Sequence, residues 1–302
     1  AWARRGDEAV VEMALASGLA ALPHHDGEPV LQARTATSQG TGELIAAALD
    51  AGCTRVVLGV GGSATTDGGA GMLTALGLRL LDEHGEPLLR GGAALAHLRT
   101  VDASRLHPRV REAQFVLAAD VDNPLTGPRG AAAVFGPQKG ASPQDVTELD
   151  AALGTFRDRL TVALGEPARA AADAPGAGAA GGVGYAALAV LGAERRPGVD
   201  VVLDLVDLDA AVAGADLLVT GEGSLDEQSL GGKTPLGVLR VGRRHGVPVI
   251  AVCGRTTLSP EALAEAGFAA VHELRALAPD TNTSMREAPR LLREVGHRLR
   301  SQ

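Results

Sequence analysis

The sequence predicts an α/β protein with a doubly wound parallel sheet, on three observations. Unbroken apolar runs such as residues 56–60 read as strands buried on both faces, the pattern of parallel sheets. Such runs empty into loops of glycine, hydroxyl and acidic residues that lead on to helices. From Leu208 onward helix and strand segments alternate regularly, which is βαβ order. A length of 302 residues, 45% of them hydrophobic, suffices for two domains with cores of their own. With aromatics at only 2%, those cores must be built from Val, Leu, Ala and Ile.

The elements follow in order. Arg4 and Arg5 precede an apolar stretch that Asp7, Glu8 and Glu12 interrupt, so it is no signal segment. Val10, Val11, Met13 and Leu15 suit an amphipathic helix, and a chain opening at Ala1 reads as the middle of a protein. Thr41 is placed to cap a helix through Asp50 that stops at Gly52. The strand at 56–60 and a Gly-rich loop follow, then a helix near Met72. Residues 78–81 and 86–89 flank His84-Gly85 as a hairpin, and 114–119 form another strand. Ser142-Pro143 opens a helix to about Leu164. Residues 168–184 have the composition of a linker, but Gly-Gly-Val-Gly runs directly into an apolar helix at Tyr185, which argues against one. Strands at 216–220 and 248–252 bracket a helix at 235–245, and a helix, a strand and a final helix complete the chain.

Four loops carry chemistry. In the first, GGSATTDGG, glycines let backbone N–H groups approach an anion. Gly61, Gly62, Ser63, Thr65 and Thr66 read as a phosphate cradle at a helix N-terminus, with the carboxylate of Asp67 inside it. The loop lacks a Walker A ending and is no clean dinucleotide fingerprint. The second places Asp120, Asp122 and Asn123 just beyond a strand end, where ligands of open α/β sheets bind. The third holds Lys139 between Gly136 and Gly140, able to neutralise a phosphate. The fourth joins Glu222 and Asp226 to Lys233 ahead of a helix starting at Pro235. Each loop also has a plainer reading, as a packing turn, a helix cap or a solvated charge. Together, anion loops, strand-end acids and loop lysines fit phosphoryl transfer with Mg²⁺.

Other classes recede. Net charge is −8 with a pI near 5.5 and no basic stripe, which disfavours nucleic acid and anionic membrane as partners. No apolar run reaches the length of a membrane span. Cys53 and Cys253 each border an apolar strand and read as buried free thiols, fitting a reducing cytoplasm. The eight histidines form no i,i+4 pair, so zinc chemistry is disfavoured.

Four longer motifs resemble the bacterial glycerate kinase family that includes the glyoxylate and glucarate pathway enzymes. They are GGSATTDGGAGM (61–72), DVDNPLTGPRGAAAVFGPQKGA (120–141), GAAGGVGYAALAVLGAERRPGV (178–199) and TGEGSLDEQSLGGKTPLGV (220–238). The resemblance spans nearly the whole chain and is weakest after about Leu274. It implies a Rossmann- or flavodoxin-like domain assembled from both ends of the chain, here 1–20 and 211–302. A second α/β domain, 21–210, is inserted between them. It implies transfer of the ATP γ-phosphate to D-glycerate with Mg²⁺, giving 2-phosphoglycerate. Asp67, Asp120, Lys139, Glu222 and Asp226 would then be catalytic, with Asp67, Asp120 and Glu222 on the metal. The cradle residues, Asp122, Asn123 and Lys233 would hold phosphate and substrate. The family's upstream Pro-Asp-Ser-Phe-Lys and Asp-Gly-Gly-Glu-Gly-Thr loops have no counterpart in this chain. That leaves room for a rival reading, a truncated fragment that binds nucleotide or glycerate without turnover. A nicotinamide-dependent oxidoreductase rests on the Gly-rich loop alone and lacks the ribose-binding acid. Small-molecule substrates are the expected partners, and homo-oligomerisation stays open.

Overall fold

The computed structural model describes residues 1–227, 229 and 234–300, in two compact units, Ala1–Arg196 and Pro197–Gln302. The first unit begins with β1 (Ala3–Arg5), β2 (Glu8–Glu12), α1 (Ala14–Ser17), β3 (His24–His25) and β4 (Glu28–Pro29). It continues through α2 (Gln39–Asp50), β5 (Arg55–Gly59), α3 (Ala70–Ala75), β6 (Arg79–Leu81), β7 (Thr100–Asp102) and β8 (Gln114–Ala118). Helices α4 (Ala131–Phe135), α5 (Pro143–Leu164), α6 (Glu166–Ala171) and α7 (Ala179–Ala189) then lead to β9 (Glu194–Arg196).

Its main sheet has the order β1-β2-β5-β8-β9, with β1 antiparallel and every other pairing parallel. Val56 to Leu58 and Phe115 to Leu117 are buried, as expected of strands covered on both faces. The helix expected around Val10 is instead mostly strand. Ala9 and Val11 are fully buried while their neighbours are less so, a period of two, and the segment pairs in parallel with β5. Only four residues, in α1, are helical.

Helix α2 starts three residues earlier than expected, with Ser38 rather than Thr41 at its boundary, and Thr41 lies buried inside it, its Oγ1 donating to Ser17 Oγ at 2.9 Å. The 78–89 hairpin forms, with the Leu88 N–H donating to the Leu80 carbonyl at 3.0 Å. Helix α5 opens on a full capping box between Ser142 and Asp145. The Gly-rich stretch before Tyr185 is core rather than linker. Ala180, Gly181 and Gly182 take left-handed φ values of 54°, 70° and 94°, and Phe156 meets Tyr185 edge-on at 6.0 Å.

The second unit runs α8 (Gly198–Leu205), α9 (Leu208–Val212), β10 (Leu218–Leu225), α10 (Thr234–His245) and β11 (Val249–Thr256). It ends with α11 (Pro260–Ala266), β12 (Ala270–Glu273), α12 (Thr281–Arg286) and α13 (Ala288–Leu299). Its sheet is parallel in the order β10-β11-β12, the βαβ pattern read from the sequence. Strand β10 reaches Leu225, so much of the expected acidic loop at 220–226 is strand.

The division between units differs from the expected one. Residues 8–12 are hydrogen-bonded into the sheet of the first unit, and the boundary falls at Arg196/Pro197 rather than near 210. Both cysteines are buried free thiols. No helix among the described residues is long and apolar enough to cross a membrane.

Candidate active site

Strands β5 and β8 are parallel neighbours, with Gly59 opposite Ala118, so the loops that follow them leave from the same edge of the sheet. This is where α/β sheets place ligands. The two loops enclose a cleft of about 420 Å³ whose lining includes Gly61, Gly62, Ser63, Asp120, Phe135 and Gln138. Gly62 has φ +67°, a conformation open to glycine, and its carbonyl accepts from the Leu19 N–H at 3.0 Å. The Ala64 N–H donates to the Ser17 carbonyl at 3.0 Å, pinning the other side of the turn. Gly61, Gly62 and Asp120 are exposed and line the same space, so a glycine backbone and one acidic residue border the cleft together.

Asp67 does not face that space. It is fully buried, and four donors surround it. Oδ2 accepts from the Ser38 N–H (2.8 Å), Ser38 Oγ (2.9 Å) and the Gly71 N–H (3.2 Å); Oδ1 accepts from the Gly69 N–H (3.1 Å). A carboxylate satisfied in this way holds a loop together, which corrects the expectation that Asp67 meets metal or substrate.

Lys139 is likewise internal. Its side chain is 1% exposed and Nζ donates to the Thr65 carbonyl at 2.6 Å. Burial pushes its pKa down to about 8, against the opposing pull of the Asp67 charge. It clamps the cradle from beneath rather than pointing into the cleft. Thr65 and Thr66 are also buried, and Thr66 Oγ1 has no hydrogen-bond partner among the described residues. The expected hydroxyl donors of the cradle therefore reduce to Ser63.

Asp122 turns outward and pairs with Arg195 at 2.7 Å. Asn123 spends its amide on the Arg129 carbonyl at 2.8 Å. Both serve the loop's shape, as Asx residues commonly do. In the second unit Glu222 stands in register with Cys253, and Cys253 with Glu273. Burial, reinforced by the charges of Glu273 and Glu222, raises the Cys253 thiol to about 11. Glu222 Oε2 is buried without a hydrogen-bond partner among the described residues. Asp226 Oδ1 accepts from the Ser229 N–H (3.1 Å) and hydroxyl (3.3 Å), closing a turn. Lys233 lies outside the described residues.

The model of the glycerate kinase family matches residues 1–302. The chain belongs to the glycerate kinase family. It is 47% identical to a glycerate kinase of Bacillus subtilis (strain 168) over 269 residues, 89% of this chain and 69% of that protein. It is 44% identical to a glycerate 2-kinase of Escherichia coli (strain K12), over 85% of this chain and 66% of that one. Its fold matches a crystal structure from Salmonella typhimurium LT2, a candidate glycerate kinase 2, with TM-score 0.80 and 39% identity. That match covers 98% of this chain and 76% of the other.

This glycerate kinase family member also uses residues that sequence reasoning passed over. Ser38 is fully buried and joins the start of α2 to Asp67, while its Oγ accepts from the Met72 N–H at 2.9 Å. The Gly68 N–H donates to the Gly181 carbonyl at 2.9 Å, so the third motif backs the first. A Cβ on Gly181 would strike the Thr65 carbonyl. A buried serine before a helix has no distinct sequence signal, whereas the glycine run at 181–184 is one in hindsight.

Proposed function

We propose that this protein transfers the γ-phosphoryl group of ATP to the C2 hydroxyl of D-glycerate, giving 2-phosphoglycerate and ADP. The hydroxyl oxygen forms the new bond to phosphorus, the bond to the β–γ bridging oxygen breaks, and the hydroxyl proton is released. The observation that carries the reading is the cleft at the ends of β5 and β8, where Gly61–Ser63 and Asp120 face one space. Phosphoryl transfer asks a protein chiefly for positioning and charge stabilisation. Backbone amides at Gly61 and Gly62 with the Ser63 hydroxyl suit phosphate or carboxylate oxygens. Asp120 suits the accepting hydroxyl, as orienter or proton acceptor. The name of the Escherichia coli relative, glycerate 2-kinase, supports the C2 position.

Mg²⁺ commonly takes one or two carboxylates and completes its shell with water and phosphate oxygens. Asp120, at the cleft, fits such a role, and Asp67, with its oxygens occupied, does not. When bound, the ion would offset charge on the β- and γ-phosphates. Glu222, Asp226 and Lys233 are proposed as metal- and phosphate-binding groups of the second unit.

The test is a coupled ADP-release assay with Mg²⁺-ATP and D-glycerate, the product position read by ³¹P NMR. Glycerate-dependent turnover with the phosphate on C2 is expected. Phosphate on C3 would overturn the position. Calorimetric binding of either substrate without turnover would mark a binding fragment rather than an enzyme.

A further inference from the structure

The first unit contains another cavity, of about 320 Å³, that shares no lining residue with the cleft. Leu78, Leu80, Leu88 and Leu95 give it an apolar body. Three arginines, Arg79, Arg90 and Arg105, also line it. Arg79 is paired with Asp102 at 3.2 Å. Arg90 and Arg105 are exposed, and neither side chain has a hydrogen-bond or ion-pair partner among the described residues. No carboxylate lines the cavity among the described residues. The volume is within the range of small-molecule sites, roughly 300–1,000 Å³.

An apolar pocket with two uncompensated guanidiniums suits a ligand with two unlike ends. The hydrocarbon end gains from leaving water, and the anionic end can take the forked donors of arginine. We propose that this cavity binds a small monocarboxylate with an apolar chain, and that binding stiffens the loop that forms the cleft.

The coupling follows from shared walls. Thr37, Gln39 and Gly71 line the cavity. Between the first two stands Ser38, and the Ser38 and Gly71 N–H groups both donate to Asp67. Gly71 is packed so closely here that a Cβ on it would meet Thr37 Oγ1, the Gln39 nitrogen and Asp67 Oδ2. A ligand pressing on Thr37 and Gly71 from the cavity therefore bears on the backbone that fixes Asp67 and, through it, the cradle.

Hexanoate is the probe, with hexan-1-ol (no charge) and succinate (no apolar chain) as controls, binding measured by calorimetry. Hexanoate is expected to bind at least about tenfold tighter than either control. The Arg90→Gln/Arg105→Gln variant should lose that advantage, and Arg90→Lys/Arg105→Lys should keep part of it. These arginines are exposed, so a thermal melt should confirm that both variants fold. In parallel, amide exchange at Ser38 and Gly71 should slow in hexanoate. Neither readout depends on kinase activity. Equal binding of hexanoate and hexan-1-ol, full binding by the glutamine variant, or no binding at millimolar hexanoate would overturn the site. Unchanged exchange with hexanoate bound would overturn the coupling.

Discussion

Ser38 and Asp67 are joined twice, the Ser38 N–H and hydroxyl both donating to the same carboxylate oxygen at 2.8 and 2.9 Å. Because Ser38 Oγ also accepts from the Met72 N–H, one hydroxyl links the start of α2, the cradle and α3. The contact is buried, so each lost partner leaves an unsatisfied group with no water to replace it.

Ser38→Ala should therefore cost about 1–3 kcal/mol of stability, read from denaturant melts. Asp67→Asn should cost at least as much, since an amide nitrogen in place of one oxygen would confront N–H donors. A variant of Asp67 with unchanged stability and abolished turnover would instead return this carboxylate to a direct part in the chemistry.

Asp120 is the counterpart experiment. It is exposed at the cleft, so Asp120→Asn should leave the melting temperature nearly unchanged. Turnover with glycerate should drop by about 10²-fold or more. Near-normal kcat/KM would remove Asp120 from the proposed mechanism.

Lys139 makes a pH prediction. Its folded pKa is pushed down to about 8 from lysine's ordinary 10.5 by burial. Between those values the unfolded chain holds a proton that the folded chain lacks, so this group's contribution to stability increases as pH rises from about 8 to 10.5. The Lys139→Met variant lacks the titration. The stability of the native protein relative to that variant should rise across this window, by on the order of 3 kcal/mol. Parallel melts at several pH values would show it, and a flat difference would mean that Lys139 titrates alike in both states.

The left-handed run beneath the cradle predicts opposite effects at two positions only two residues apart. A Cβ at Gly182 would sit 2.7 Å from Gly68 Cα and 2.8 Å from Leu125 Cδ1, with φ at +94°. Gly182→Ala should destabilise by about 2 kcal/mol or more. Ala180 already carries a Cβ at φ 54°, so Ala180→Gly should be neutral or stabilising by up to about 1 kcal/mol. Thermal melts of the two variants would separate these outcomes.

The legible parts were those in which a local pattern controls burial. Residues 56–60 and 115–119 are continuous apolar runs, and both became central strands. Ser142-Pro143 with Asp145 three residues after the serine is a complete local cap, and the helix starts there. The N-terminal stretch misled because two glutamates and an adjacent valine pair fit either period. Pairing with β5 decided for the strand. Thr41 misled for a similar reason: a capping residue type stood three positions past the true boundary serine, which was engaged elsewhere.

By itself the sequence determined the α/β class, the parallel strands and the loops at their carboxyl ends, because hydrophobic period and turn chemistry act over a few residues. It also carried the family, in motifs that stand in order along the chain. Only the tertiary structure decided which loop groups face the cleft and which hold it up. Ser38 and Asp67 are 29 positions apart and Lys139 and Thr65 are 74 apart, so no local rule pairs them. Once packing buries a carboxylate or an ammonium, its need for partners turns it inward. That is why Asp67 and Lys139 support the site, while Asp120 stays exposed at the same edge and lines the cleft.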